Sequence, residues 1–230
     1  MDQVYRRQRY IYDLTRRYYL FGRDRMIRDL GLLPGESAVE VGCGTARNLI
    51  RIAKRYPGAV LFGLDASAEM LQTASANVAR AGLSHRITLV QGYAEALTPA
   101  MFGRTMPFDR VLFPYSLSMI PDWNQALISA SQALSPNGRL HVVDFGDLTD
   151  LGPIAGGLLR RWLTLFHVAP RVEILRALEA EARRDGTPKG ELQLLPARYA
   201  FLWSATKTEA GVWGLRDVAV QSQRAGNSPG

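Results

Sequence analysis

Between residues 37 and 146 short apolar, β-branched runs alternate with longer stretches in which apolar positions recur at helical spacing. SAVEVG (37–42) reads as a buried strand ending in glycine. ARNLIRIAKRY (46–56) follows as a helix, with Leu49, Ile52 and Ala53 on one face and Arg47, Arg51, Lys54 and Arg55 outside. AVLFGLD (59–65) is the next strand, and SAEMLQTASANVARAG (67–82) a helix with Ser67 as N-cap and Gly82 just past its end. RITLVQG (86–92), FDRVLFP (108–114) and GRLHVVDFG (138–146) continue the series. Asp122 is positioned to cap the helix WNQALISASQAL, and SPNG turns the chain into the following strand.

Near-continuous apolar strands separated by helices predict a parallel sheet covered on both faces. ELQLLPARYAFLWSATK (191–207) breaks the alternation. Two strand-like runs meet at a Pro-Ala link with no helix between them, which predicts a hairpin closing one edge of the sheet. The expected fold class is α/β, doubly wound, with a mostly parallel seven-stranded sheet, an antiparallel final strand and an N-terminal helical lid. The corresponding division is a lid over 1–31, the α/β domain over 32–207 and a flexible tail over 208–230, whose end QSQRAGNSPG has a disordered composition.

The opening run carries its own pattern. Val4, Ile11, Leu14 and Tyr18 share one side of a helical wheel, with Tyr5, Tyr12 and Tyr19 as an adjoining stripe. Arg6, Arg9, Arg16 and Arg17 gather opposite. This helix is expected to stop near Gly22 and restart as RDRMIRDL, ending at Gly31. So complete an apolar face argues against a nucleic-acid arm, and no RNA-binding module follows. A second stretch, PIAGGLLRRWLTLFHVAP (153–170), suits either an interfacial helix or a helix buried between sheet and lid.

The chain has 230 residues, 47% of them hydrophobic, enough for a sizeable core. Its formal net charge of +7 attracts anionic partners without specifying which. The one cysteine, Cys43, leaves no intramolecular disulfide framework and fits a reducing compartment. No signal peptide or membrane span is expected, so the protein reads as soluble or peripheral and cytosolic. His85, His141 and His167 lack metal-ligand spacing, and no Ser or Cys activation motif points to a hydrolase. No metal is expected, and Cys43 reads as a small filler of the glycine turn.

The chemistry concentrates in VEVGCGTARN, at the carboxyl end of the first strand, where such sheets bind ligands. Gly42 and Gly44 let the backbone turn sharply and approach a ligand closely. Asp65, at the tip of the second strand, suits a carboxylate that accepts hydrogen bonds from ribose hydroxyls. Dinucleotide sites and S-adenosylmethionine (SAM) sites share this layout. A dinucleotide site requires a third glycine under the pyrophosphate, and that position is Arg47. Glu40 would also repel a pyrophosphate, whereas it suits a ligand with a cationic amino acid end.

The ordered set VEVGCGTARN, FGLDASAEML, VQGYAEAL and FDRVLFPYSLSMIPD resembles that of the class I SAM-dependent methyltransferases. The resemblance implies that Glu40, Gly42 and Gly44 surround the methionine end and that Asp65 holds the ribose. Ala66 and Met70 would line the ribose and adenine, with Ala94 and Glu95 in the adenine loop. Ala46 replaces the usual third glycine of the first motif, and Tyr93 stands where aspartate is common. RQRYIYDLTRRYYLFGRDRMI, with EVGCGTARN and YAFLWSATK, is most similar to the bacterial N-methyltransferases of betaine-lipid synthesis, through about residue 207.

That family methylates diacylglyceryl-homoserine three times. The resemblance therefore implies SAM as cofactor, an amphiphilic amino-lipid as substrate, no nucleic acid, and peripheral contact with an anionic membrane on the cytoplasmic face. Aromatic faces stabilise the quaternary ammonium product, which makes Tyr12, Tyr19 and Tyr115 the candidate catalytic residues. Phosphatidylethanolamine N-methylation, quinone C-methylation and a catalytically silent membrane-binding protein with the SAM fold remain alternatives.

Overall fold

Successive residues of each strand feed two different apolar layers, and this fixes the architecture. The computed structural model describes residues 21–152, 157, 161, 171–182 and 190–207. Its strands are β1 (Ser37–Val41), β2 (Val60–Asp65), β3 (Ile87–Gln91), β4 (Phe108–Pro114), β5 (Leu134–Phe145), β6 (Glu191–Leu194) and β7 (Ala200–Thr206). They form one seven-stranded sheet in the order β3-β2-β1-β4-β5-β7-β6. β1 to β5 are parallel, and β7 runs antiparallel to both β5 and β6. The expected antiparallel final strand is therefore present, inserted between β5 and the edge strand β6.

The helices are α1 (Arg23–Arg28), α2 (Arg47–Arg55), α3 (Ala68–Arg80), α4 (Trp123–Ala133) and α5 (Val172–Ala182). Ala38, Leu61, Leu112 and Val143 meet α1, α2 and α3 on one face of the sheet. Val39, Phe62, Val111, Phe113 and Val142 meet α4 and α5 on the other. Burial on both faces explains why the parallel strands read as unbroken apolar runs. Two helix starts match the sequence signals. Ser67 Oγ accepts from Met70 N at 3.3 Å and Asp122 Oδ1 from Gln125 N at 3.0 Å.

α1 is short, and several polar contacts hold it in place. The Tyr56 hydroxyl lies 2.9 Å from the Ile27 carbonyl and 2.8 Å from that of Arg28, and it accepts from Gly31 N. Arg110 Nε donates to the Leu30 carbonyl at 2.8 Å. An ion pair joins Arg51 on α2 to Asp24 on α1. Gly22, just ahead of α1, has a φ of +86°, and a Cβ there would lie 2.9 Å from Leu195 Cδ1 and 3.1 Å from Val143 Cγ2. Glycine is thus required both for the conformation and for the close approach.

Two expectations are corrected. β5 begins at Leu134 rather than at Gly138. The SPNG segment is held in the sheet because Asn137 N donates to the Lys207 carbonyl and Lys207 N to that of Gly138. Asn137 takes a φ of +62°, and the β4–β5 register shifts between Phe108 and Arg110. Arg47, expected on the solvent side, lines a cleft at the sheet's carboxyl edge. Of the expected lid, residues 1–20 lie outside the described residues, as do most of 153–170 and all of 208–230.

Candidate active site

A cleft of about 500 Å³ opens at the carboxyl ends of β1, β2 and β4. It forms because β1 ends in a chain reversal only small residues allow. Gly42 has a φ of +73°, and a Cβ on it would fall 2.5 Å from Ser116 Cβ. Ser116 Oγ in turn donates to the Val41 carbonyl at 2.6 Å, closing the turn onto the end of β4. Gly44 also has positive φ, but a Cβ there would meet nothing within 4 Å, so its outer side is open. Ala46 adopts a left-handed φ of +59° at the start of α2 and is fully buried. A glycine would take this conformation without strain; alanine's single methyl fits.

Glu40, Gly42, Gly44, Asp65, Ala66, Met70, Ala94, Glu95 and Tyr115 all line this one cleft. Tyr12 and Tyr19 lie outside the described residues. Asp65 is fixed by backbone donors, with Gly44 N 2.7 Å from Oδ2 and Ser67 N 2.9 Å from Oδ1. Ionised, each oxygen keeps further lone pairs for a ligand's hydroxyls. Ala94 opens a short 3-10 turn, Ala94–Ala96. Ser129 Oγ on α4 donates to the Glu95 carbonyl at 2.6 Å and holds that turn. Tyr93 beside it is 71% exposed.

Glu40 is buried at the floor. Asn48 Nδ2 donates to its Oε1 at 2.8 Å, while Oε2 has no partner. Burial pushes the carboxyl up to about 8; Asn48 and the Arg23 charge pull the other way without cancelling it. Cys43 is buried, and burial, with Glu40 and Asp65 adding to it, raises its thiol far above the ordinary range, which disfavours the thiolate.

Tyr115 has a φ of +59°, packs edge-on against Phe145 with ring centroids 4.7 Å apart, and donates its hydroxyl to the Phe21 carbonyl. Burial drives its phenol well above the usual value. Phe21 also packs edge-on against Tyr199, so the chain enters the described structure at this corner of the cleft. Asp144, nearby at the end of β5, accepts from Ser118 N at 2.9 Å and Phe145 N at 2.8 Å; burial raises it to about 6.

Sequence reasoning did not single out Arg23, Asn48, Ser116 or Met119, all of which line the cleft. Asn48 carried a local signal, since it lies shortly after Glu40 within the same glycine motif. Arg23 carried none: it reaches the cleft only because α1 docks on α2 and β5.

A family model described as a methyltransferase domain matches residues 38–138. The chain is 32% identical over 166 residues to the ubiquinone/menaquinone biosynthesis C-methyltransferase of Syntrophotalea carbinolica, covering 70% of this chain and 66% of that one. It is 30% identical over 181 residues to the demethylmenaquinone methyltransferase of Corynebacterium efficiens, covering 74% and 69%. The match thus spans about two thirds of the length of these curated relatives. A SAM-dependent methyltransferase of Aquifex aeolicus has the same fold, with a TM-score of 0.59 at 16% identity over 84% of this chain and 93% of that one.

The cleft's residues fit that methyl donor. The unpartnered Glu40 Oε2 suits an ammonium group, Asp65 suits two ribose hydroxyls, and the open side of Gly44 leaves room for the chain between them. Met70 and Ala94 supply apolar walls for a flat base.

Proposed function

Because this chain belongs to the class I SAM-dependent methyltransferases, we propose that it methylates the amino group of diacylglyceryl-homoserine three times, forming the betaine lipid diacylglyceryl-trimethylhomoserine. The bound donor supplies a methyl group activated by its sulfonium, and the protein's task is to align the acceptor's lone pair with it. The observation that carries the amine reading is the state of Tyr115. Its hydroxyl is already engaged with the Phe21 carbonyl and its phenol is pushed above the usual range, which leaves the ring rather than a base to serve the reaction. An aromatic ring at the acceptor end of the cleft suits the growing cationic charge of a methylated amine.

The amine itself needs little help in losing its proton. An α-amino group has a reference pKa of about 8, and desolvation lowers it. Exposed apolar side chains at the cleft, Tyr93 and Met119, with Phe21 at its corner, support an amphiphilic acceptor. No helix among the described residues is long and apolar enough to cross a membrane, and in this reading the acceptor is met at the bilayer surface. The segment before Phe21 carries Arg6, Arg9, Arg16 and Arg17 for that contact, with Tyr12 and Tyr19 as further partners for the cation.

The names of the relatives favour a second reading, C-methylation of a quinone precursor. It makes a different chemical demand, since attack by ring carbon is assisted by deprotonating a ring hydroxyl. A methyl-transfer assay in mixed micelles separates the readings, with diacylglyceryl-homoserine, phosphatidylethanolamine and demethylmenaquinol offered separately and products weighed by mass spectrometry. Three methyl additions to the first are expected. Transfer only to phosphatidylethanolamine would change the headgroup, and transfer only to the quinol would replace the amine reading. Absence of any S-adenosylhomocysteine binding would indicate a catalytically silent protein. In the same preparation, glutamine at the four arginines should weaken binding to anionic vesicles at low salt; unchanged binding would remove the membrane contact.

A further inference from the structure

One wall of the cleft, Met119, Ile120 and Pro121, has little backbone structure of its own to hold it. It lies between β4 and α4, and its internal bonds are those of a single 3-10 turn. Met119 N donates to the Ser116 carbonyl at 3.0 Å and Ile120 N to that of Leu117 at 3.2 Å. Pro121 has no N–H, so beyond Ile120 the wall offers only carbonyls as anchor points. Two charged side chains from distant elements take hold of it. At one end Asp144, buried at the close of β5, accepts from Ser118 N at 2.9 Å. Its other oxygen accepts from Phe145 N at 2.8 Å, which fixes the carboxylate on its own strand. At the far end Arg171 Nη1 donates to the Ile120 carbonyl at 3.0 Å and to that of Pro121 at 3.3 Å.

Arg171 stands immediately before α5, which is itself firmly seated. Ile174, Leu175 and Leu178 are buried in the core, and Glu179 pairs with Arg198 at 3.3 Å. The charge of Arg171 also acts on Asp144, so the two anchors belong to one network. We propose that Arg171 is a positioning residue for the methyl acceptor: with Asp144 it clamps the segment from Ser118 to Pro121 at both ends and so fixes the wall that the acceptor lies against. A hydrogen bond from a charged donor is stronger than a neutral one, which suits a wall that must keep its place while acceptors come and go. This inference rests on the acceptor meeting the Tyr115–Met119 end of the cleft, and it holds for an amine or a quinol alike.

The test pairs methyl-transfer kinetics with calorimetry on the full chain. The acceptor is whichever of diacylglyceryl-homoserine, phosphatidylethanolamine and demethylmenaquinol the unaltered protein methylates, so a wrong headgroup leaves the test intact. Arg171→Met should raise the acceptor KM by roughly 5- to 20-fold, the loss expected for charged hydrogen bonds, with kcat changing less. Binding of S-adenosylhomocysteine should change by less than about twofold. Arg171→Lys should recover part of the loss, since an ammonium keeps a charged donor without the guanidinium's reach. Met119→Ala alters an exposed side chain of the wall itself, and it should raise the same KM. Combined with Arg171→Met, its effect should fall short of additive, because both act on one wall. Additive losses would overturn the proposal. So would an unchanged KM beside a lowered urea midpoint, which would leave Arg171 as a support of the fold alone. An equal loss of S-adenosylhomocysteine binding would overturn it by giving the wall to the donor. Turnover of none of the three acceptors by the unaltered protein would overturn it at its premise.

Discussion

Glu40 is a carboxylate placed where water cannot solvate it, and its proton becomes part of ligand binding. Burial holds it at about 8, so near pH 7 the ligand-free protein keeps it mostly protonated. An ammonium delivered to Oε2 favours the ionised form, so binding should expel the proton. Titrating S-adenosylhomocysteine at pH 7 in buffers of different ionisation heat should reveal release of close to one proton per site. The release should fade as the pH passes 8 and vanish in Glu40→Gln, which should also bind more weakly. A release that survives in that variant would locate the proton elsewhere. Glu40 was legible in the sequence as the acid ahead of the glycine turn; its protonation was not, because that depends on residues that close over it. Asn48 and Arg23 temper the shift from a second and a third element.

Elements show the same division between local and long-range information. β1 to β4 and helices α2 to α4 could be read because each carries its periodicity within a dozen or so residues, and α3 and α4 carry their caps as well. The start of β5 could not, since Asn137 and Gly138 stay in the sheet through bonds to Lys207 at the far end of the chain. Arg47 was misread for a geometric reason: a helical wheel separates core from solvent but does not mark the first turn, which here borders the cleft. α1 is the extreme case. Its six residues have little intrinsic helical stability, and its position depends on Tyr56, Arg110, Arg51 and the groove that accepts Gly22. Gly22→Ala should therefore do two things. The added Cβ would press on Leu195 and Val143 from a backbone conformation that alanine disfavours, costing about 2 kcal/mol in denaturant unfolding. Displacing the start of α1 should also weaken S-adenosylhomocysteine more than 5′-methylthioadenosine, which lacks the amino acid end. An unfolding loss with equal effects on both ligands would mean that α1 supports the fold without shaping the cleft.

At the scale of the whole molecule, four of the shifted groups among the described residues illustrate how stability depends on pH, and they do not all pull the same way. His141 is buried and held neutral, lowered to about 3 by burial with Arg139 and Arg110 adding to it. Its contribution is full above about 6.5 and is lost as the pH falls towards 3. Asp147, paired with Arg198 at 2.7 Å, is lowered to about 2, so its contribution is present above about 4 and lost as the pH falls through 2. Asp144 and Glu40 act oppositely. Both are raised by burial, so the folded state holds their protons after the unfolded chain has released them. Each lowers stability as the pH rises, Asp144 until about 6 and Glu40 until about 8. Between pH 6.5 and 8 only Glu40 of these four is still changing the balance. The ligand-free protein should lose about 1.5 kcal/mol over that window in urea unfolding, a little less than 1.36 kcal/mol for each pH unit because half of the Glu40 proton has gone by pH 8. Glu40→Gln should show a flat profile there. Saturating S-adenosylhomocysteine should flatten the trend in the wild-type protein, because the complex and the unfolded chain both hold Glu40 ionised, so the tightening of binding towards pH 8 cancels the loss seen without ligand. A flat wild-type profile without ligand would mean that Glu40 is ionised in the empty cleft, with the Arg23 charge outweighing burial.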